Sequence, residues 1–269
     1  MLRSVIALSA AKPYSGIFNM EETPAGYDRR ESIRKGVYIL PNLVTTGSLF
    51  AGFYGNVATL NGDYNLAAWF ILVSAVFDAL DGKVARLTGT TSRFGVEYDS
   101  LADLVAFGVA PGLLMYSWAL RPFGKLGWLA AFLYVVCGAL RLARFNVQVT
   151  TVESKRFVGL PIPAAASMVS ACVLLFFHLG GSGTIKKASI LILIYVLAFL
   201  MVSNFRYLSF KDPELFKRQP FGFLVLAIFL IIVIVAQPEY AFFILFLSYT
   251  LSGPVGFVLQ LGRRRNRTD

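Results

Sequence analysis

Six stretches of this chain, residues 36–62, 104–120, 157–185, 188–205, 219–238 and 240–262, contain no Asp, Glu, Lys or Arg. Two shorter uncharged runs, 64–77 and 126–140, end at Asp78 and Arg141. A helix that crosses a bilayer needs ~20 predominantly apolar residues. The long runs meet that length, and the shorter ones meet it when their helices extend into their charged ends. The expected spans are 39–60, 64–87, 95–118, 124–146, 161–180, 187–206, 220–236 and 239–261, about eight in number. The runs are continuous rather than alternating, which argues against a β-barrel. Composition excludes two other classes. With 57% hydrophobic and only 15% charged residues, too little polar surface remains to wrap a soluble core or to keep the chain disordered. Two cysteines, Cys137 and Cys172, do not make a disulfide scaffold. The expected fold is therefore all-α, a polytopic integral membrane protein.

The net charge of +10 is odd on so apolar a chain. It becomes intelligible as topology, because cytoplasmic flanks of membrane helices are enriched in Lys and Arg. With the N-terminus inside, only Arg121, Lys125, Lys186 and Lys187 fall on the outer side, leaving 21 of 25 basic residues on the inner side. This places both termini in the cytoplasm, points to the cell (inner) membrane and removes nucleic acid as the reason for the charge. Three regions follow: an N-terminal cytoplasmic segment over 1–38, a transmembrane domain over 39–261 and a basic tail over 262–269. Residues 31–39 read either as a helix lying along the interface or as a plain basic flank before Pro41. The first eleven residues are too short to span.

Of fifteen acidic residues, five lie within 78–103: Asp78, Asp81, Glu97, Asp99 and Asp103. The four aspartates fall inside the second and third expected spans. Each carboxylate inside a membrane helix costs at least ~2.5–3.5 kcal/mol, so four cost on the order of 10 kcal/mol unless compensated. On a helix Asp78 and Asp81 share a face with Gly82 and Ala85, and Gly95, Asp99 and Asp103 share a face on the next. Carboxylates gathered without His or Cys suit hard divalent cations such as Mg²⁺ or Mn²⁺. The basic turn between the two helices adds Lys83, Arg86 and Arg93, which suit phosphate oxygens. Interhelical salt bridges from the aspartates to these same three cations are the plain structural alternative. Read from residues alone, the chain is either a membrane enzyme acting on an anionic phosphate compound from the cytoplasm or a cation transporter.

The segment Asp78-Ala-Leu-Asp81-Gly82-Lys-Val-Ala85-Arg86, then eight residues, then Gly95-Val-Glu-Tyr-Asp99-Ser-Leu-Ala-Asp103, resembles the signature of the CDP-alcohol phosphotransferase family. That signature is D-x2-D-G-x2-A-R-x8-G-x3-D-x3-D, and all eight fixed positions are present. The resemblance implies a six-helix catalytic core, homodimerisation, dependence on two divalent cations (Mg²⁺ or Mn²⁺), and transfer of a phosphatidyl or phosphoalcohol group from a CDP-linked donor to an alcohol with release of CMP. It further implies that Asp78, Asp81, Asp99 and Asp103 bind metal, with Asp103 also the catalytic base. Gly82, Ala85, Arg86 and Gly95 would line the CDP-donor pocket, with Asp78, Lys83 and Arg93 contributing. Glu97 is outside the pattern and reads as structural.

Three further segments resemble the membrane-integral phosphatidylserine synthase branch of that family: Ala139-Leu-Arg141-Leu-Ala-Arg144-Phe-Asn146, Phe157-Val-Gly159-Leu-Pro161-Ile-Pro163, and Ser203-Asn204-Phe-Arg206-Tyr. This implies CDP-diacylglycerol and L-serine as substrates, with Arg141, Arg144 and Asn146 as candidate acceptor-binding residues. Those arginines read equally as positive-inside flanks. Inositol, an inositol phosphate or glycerol 3-phosphate are the competing acceptors.

Other features carry less. Pro161 and Pro163 mark a helix start. His178, the sole histidine, reads as a polar interfacial residue, and both cysteines as small packed hydrophobes. Trp69, Trp118 and Trp128 read as interface aromatics, and Pro111-Gly112 as a point of helix distortion.

Overall fold

A computed structural model describes residues 29–88, 92–149, 157–185, 187–207, 228 and 232–265. The chain is a bundle of long helices: α1 (Arg29–Leu60), α2 (Tyr64–Thr88), α3 (Arg93–Asp103), α4 (Ala110–Met115), α5 (Lys125–Val149), α6 (Ile162–His178), α7 (Ala188–Val202) and α8 (Pro238–Arg265). Between α3 and α4 the helix continues as a π-helical segment, Leu104–Val109. After α4 it continues through a second π segment, Tyr116–Leu120, and a 3₁₀ turn, Arg121–Phe123. Among the described residues, four helical stretches are long and apolar enough to cross a membrane: Tyr64–Ala85, Arg93–Phe123, Lys125–Val147 and Pro238–Leu259. Ile162–His178 and Ala188–Val202 are apolar but shorter. The all-α polytopic architecture is thus present. The expected span over 220–236 lies mostly outside the described residues.

Residues 29–60 form one helix that runs through Pro41, so the segment 31–39, read as an interfacial helix or a plain flank, is continuous with the span expected from 39. The chain also contains a short antiparallel ladder, β1 (Phe157–Val158) with β2 (Arg206–Tyr207). Two paired residues per strand are too few to leave a periodic signal in the sequence. Next to the ladder, Gly159 has φ +83, and a Cβ there would collide with the Met201 carbonyl oxygen. Its N–H donates to the Phe205 carbonyl at 2.9 Å, and the Leu160 N–H donates to Leu200 at 3.0 Å, binding the start of α6 to the end of α7. Pro161 then caps α6, with Pro163 in its first turn, as the sequence indicated.

Small residues and short polar side chains set the helix spacing, as expected where lipid supplies no hydrophobic drive between helices. A Cβ on Gly52 would lie 2.6 Å from Ala106, so α1 and the first π segment meet backbone to backbone. Ser48 and Ser74, both buried, join α1 to α2: each hydroxyl reaches the other's carbonyl (3.1 and 2.9 Å), and the two hydroxyls lie 2.8 Å apart. Trp118 is a correction to its reading as an interface aromatic. It is a core residue, 1% exposed, because it packs against α6, edge-on to Phe176 at 5.2 Å, rather than facing lipid. At the end of α6, His178 Nδ1 lies 3.4 Å from Glu239 Oε2 at the start of α8.

Candidate active site

Asp78 and Asp81 stand on α2, and Asp99 and Asp103 on α3. Ser92 fixes where α3 starts: its side chain accepts a hydrogen bond of 2.9 Å from the Gly95 N–H. Four and eight residues on from Gly95, one and two turns further along the same face, come Asp99 and Asp103. Asp103 is the last α-helical residue before the backbone widens into the π segment.

The carboxylates of Asp78, Asp99 and Asp103 gather so that one oxygen from each lies within 4.8 Å of the others. Asp103 and Asp81 are buried, while Asp78 and Asp99 are partly open. Asp81 lies outside this group of three. One of its oxygens faces Thr45 and the Gly82 N–H; the other is buried without a hydrogen-bond partner among the described residues. Asp81 instead lines a neighbouring cavity of about 190 Å³. Its walls are Pro41, Asn42 and Thr45 from α1, Asp81, Gly82 and Ala85 from α2, and Ser92, Gly95, Val96 and Asp99 at the start of α3. Asp99 belongs to both the carboxylate group and the cavity, so the two are one continuous site.

Sequence reasoning did not include Asn42, Thr45 or Ser92. The signal available was weak: three small polar residues outside the aspartate pattern. Gly95 shows why the motif needs glycine there. A Cβ would sit 3.2 Å from Ser92 Oγ and 3.4 Å from Asn42 Oδ1, so a larger residue would crowd the α3 cap and the Asn42 side chain.

The basic candidates separate. Lys83 and Arg93 are exposed and do not line the cavity. The Arg86 side chain lies outside the described residues. Arg141 on α5 is buried (8% exposed) and lies close enough to Asp103 and Asp78 for their charges to interact. Its guanidinium also sits 5.5 Å from the Phe145 ring. Arg144 is directed elsewhere: it donates to the Val202 carbonyl at 3.1 Å and to Asn204 Oδ1 at 3.4 Å. Val202 ends α7, so Arg144 satisfies a terminal carbonyl as a cation at a helix C-terminus does. Asn146 donates to Ser100 Oγ at 2.9 Å, tying α5 to α3.

Among the described residues, no ion pair within 4.0 Å joins any of the four aspartates to a basic side chain. Two ionised carboxylates at this separation repel by about 3 kcal/mol at an effective dielectric constant near 20. The oxygen-only donor set is what a hard divalent cation selects, and such a cation would relieve the repulsion.

A profile of the CDP-alcohol phosphatidyltransferase family matches residues 38–252. The chain belongs to that family. Its members depend on divalent metal, and the Asp78, Asp99 and Asp103 carboxylates are a donor set of the right kind. The chain is 43% identical over 205 residues to a Helicobacter pylori protein named CDP-diacylglycerol–serine O-phosphatidyltransferase, covering 76% of this chain and 84% of that one. A Methanocaldococcus jannaschii protein of the same name is 35% identical over 228 residues, covering 84% of this chain and 98% of that one. An archaetidylserine synthase of Methanothermobacter thermautotrophicus is 39% identical over 170 residues, covering 62% and 69%. Membership in the CDP-alcohol phosphatidyltransferase family explains why five of the motif's eight fixed positions, Asp81, Gly82, Ala85, Gly95 and Asp99, line one cavity.

Proposed function

We propose that this chain is a phosphatidylserine synthase, transferring the phosphatidyl group of CDP-diacylglycerol to the hydroxyl of L-serine and releasing CMP. The observation that carries this reading is the junction at Asp99, where a cavity lined by the motif's small residues meets a group of three carboxylates. The names of the relatives supply the acceptor.

In this reading the cavity between α1, α2 and α3 takes the cytidine diphosphate end of the donor. Gly82, Ala85 and Gly95 keep it open, and the basic residues of the motif and the turn after it, Lys83, Arg86 and Arg93, would contribute positive charge toward the donor's phosphates. Asp78, Asp81, Asp99 and Asp103 would hold two divalent cations, Mg²⁺ or Mn²⁺. When bound, these supply charge neutralisation at the pyrophosphate and its leaving group. Asp103 takes the proton from the serine hydroxyl. The serine oxygen forms a bond to the phosphatidyl phosphorus, the bond from phosphorus to the CMP oxygen breaks, and CMP departs with that electron pair. Of the three acceptor candidates, Arg141 alone stands beside the carboxylates, and we assign it the serine carboxylate. Arg144 and Asn146 then support α5 against α7 and α3.

The basic-residue asymmetry supports a cytoplasmic active site with both termini on that side, the N-terminal segment 1–38 and the tail 262–269 flanking the membrane domain 39–261. Homodimerisation follows by analogy with the family. The deciding experiment supplies CDP-diacylglycerol, Mg²⁺ or Mn²⁺ and a panel of alcohols to the purified chain and follows CMP. Serine-dependent CMP release is expected. Release with inositol or glycerol 3-phosphate but not serine overturns the acceptor. Metal flux without CMP release overturns the enzyme reading in favour of a transporter.

A further inference from the structure

Asp103 sits between two hydrogen bonds that join its stretch of chain to α5. Four residues beyond it, the buried Tyr134 hydroxyl on α5 donates to the Phe107 carbonyl at 3.2 Å. Three residues before it, Asn146 Nδ2 on α5 donates to Ser100 Oγ at 2.9 Å, and Asn146 Oδ1 lies 3.3 Å from the same oxygen. The Ser100 hydroxyl can donate in turn to the Val96 carbonyl of its own helix at 3.0 Å, which leaves its lone pairs for Asn146. Arg141 falls between Tyr134 and Asn146 on α5, as Asp103 falls between Phe107 and Ser100 on the other side. The two ties therefore bracket Arg141 and Asp103. Helix packing does not duplicate the tie at Ser100. Near Phe107, α5 already packs on the π segment, but α3 itself packs on α1 while α5 packs on α7. Arg144, two residues before Asn146 and about 200° around the helix from it, is bound to α7 at the Val202 carbonyl. Of these two contacts on opposite sides of α5, the one made by Asn146 reaches the helix of Asp99 and Asp103. Ser100 lies between those two aspartates and is not among the eight fixed positions of the motif.

We propose that Ser100 and Asn146 are a positioning pair for the acceptor: their hydrogen bond sets the separation between Arg141 on α5 and the Asp99 and Asp103 carboxylates on α3. This rests on the reading in which Arg141 takes the serine carboxylate and Asp103 the hydroxyl proton. Serine then reaches from one helix to the other, and its oxygen meets the phosphorus only when the two helices stand one serine apart. A guanidinium also binds carboxylate through a planar fork, so a misplaced Arg141 loses affinity even though the charge is kept. The donor cavity is walled by α1, α2 and the start of α3, with no residue of α5. A small displacement of α5 therefore disturbs the acceptor and spares the donor. Ser100 and Asn146 are both partly exposed, so losing their bond costs less stability than losing the buried bond of Tyr134.

The test measures CMP release by the full-length protein while serine and CDP-diacylglycerol are varied separately. Ser100→Ala and Asn146→Ala are each expected to raise the KM for serine about three- to tenfold, while the KM for CDP-diacylglycerol stays within about twofold. The double variant should be no worse than the weaker single one, because both substitutions remove the same bond. Ser100→Thr keeps the hydroxyl and should restore a serine KM within about twofold of wild type. Arg144→Gln is the control for lost stability: it loosens α5 from α7 and should leave serine KM unchanged. An unchanged serine KM in both alanine variants, effects that multiply in the double variant, or an equal rise in the KM for CDP-diacylglycerol overturns the proposal. Should Asn146→Ala not fold, Ser100→Ala and its rescue by Ser100→Thr decide alone, and failure of either expectation overturns the proposal. A wild-type protein that releases CMP with another alcohol and not with serine overturns the serine reading instead, and the KM for that alcohol then judges the pair.

Discussion

The hydroxyl of Tyr134 on α5, fully buried, donates at 3.2 Å to the backbone carbonyl of Phe107 in the first π segment. Tyr134 therefore ties α5 to the π segment about one turn beyond Asp103. Tyr134→Phe leaves a buried carbonyl with a lost partner and should destabilise the protein by about 1–3 kcal/mol. The check is thermal or denaturant unfolding in detergent. Because the bond also steadies the segment that follows Asp103, turnover should fall more than donor affinity.

Arg141 and Arg144 are three residues apart in sequence and differ in everything but charge. Arg144→Gln removes the donor to the Val202 carbonyl and should lower the unfolding midpoint while leaving the KM for serine unchanged. Arg141→Gln should do the reverse, raising serine KM by at least about tenfold at similar stability, since a charge-assisted hydrogen bond contributes ~1.5–3 kcal/mol. Steady-state kinetics and a melting curve on the two variants separate the roles.

This pair also marks where sequence ceases to be legible. The spans and the four aspartates could be read directly, because a charged residue in hydrocarbon is costly enough to demand a function and a spacing of three or four places residues on one helix face. Arg141 and Arg144 are both permitted near the end of a membrane helix, and i, i+3 spacing allows a shared face without requiring shared partners. What separates them is the position of α7's last carbonyl, which depends on tertiary packing. Asn42 and Thr45 were hidden for the same reason: their value comes from α1 lying against Gly95, a contact between helices. The burial of Trp118 is likewise not announced by local composition, because it comes from packing against Phe176 on α6, a contact between helices.

Asp103→Asn keeps the volume and hydrogen-bonding reach of the side chain but cannot accept the serine proton. CMP release should fall by at least about 100-fold, with binding of CDP-diacylglycerol largely retained. Asp78→Asn should instead weaken activation by metal, seen as a higher Mg²⁺ or Mn²⁺ concentration for half-maximal rate. Chelation of the wild-type protein should abolish CMP release, and adding back either ion should restore it. Near-normal turnover in Asp103→Asn would remove it as the base.

Gly95 tests the cavity itself. Replacing it with alanine puts a methyl group 3.2 Å from Ser92 Oγ and 3.4 Å from Asn42 Oδ1, tight enough that one neighbour must give. Valine adds two methyl groups to that crowded space, between the α3 cap and α1. Its β-branching leaves little rotamer freedom to avoid them. Gly95→Ala should therefore raise the KM for CDP-diacylglycerol severalfold, and Gly95→Val should abolish donor binding, while the KM for serine in the alanine variant stays close to wild type. Direct measurement of CDP binding by calorimetry distinguishes a closed cavity from a slowed reaction. Undiminished CDP affinity in Gly95→Val would place the nucleotide somewhere other than the space between α1, α2 and α3.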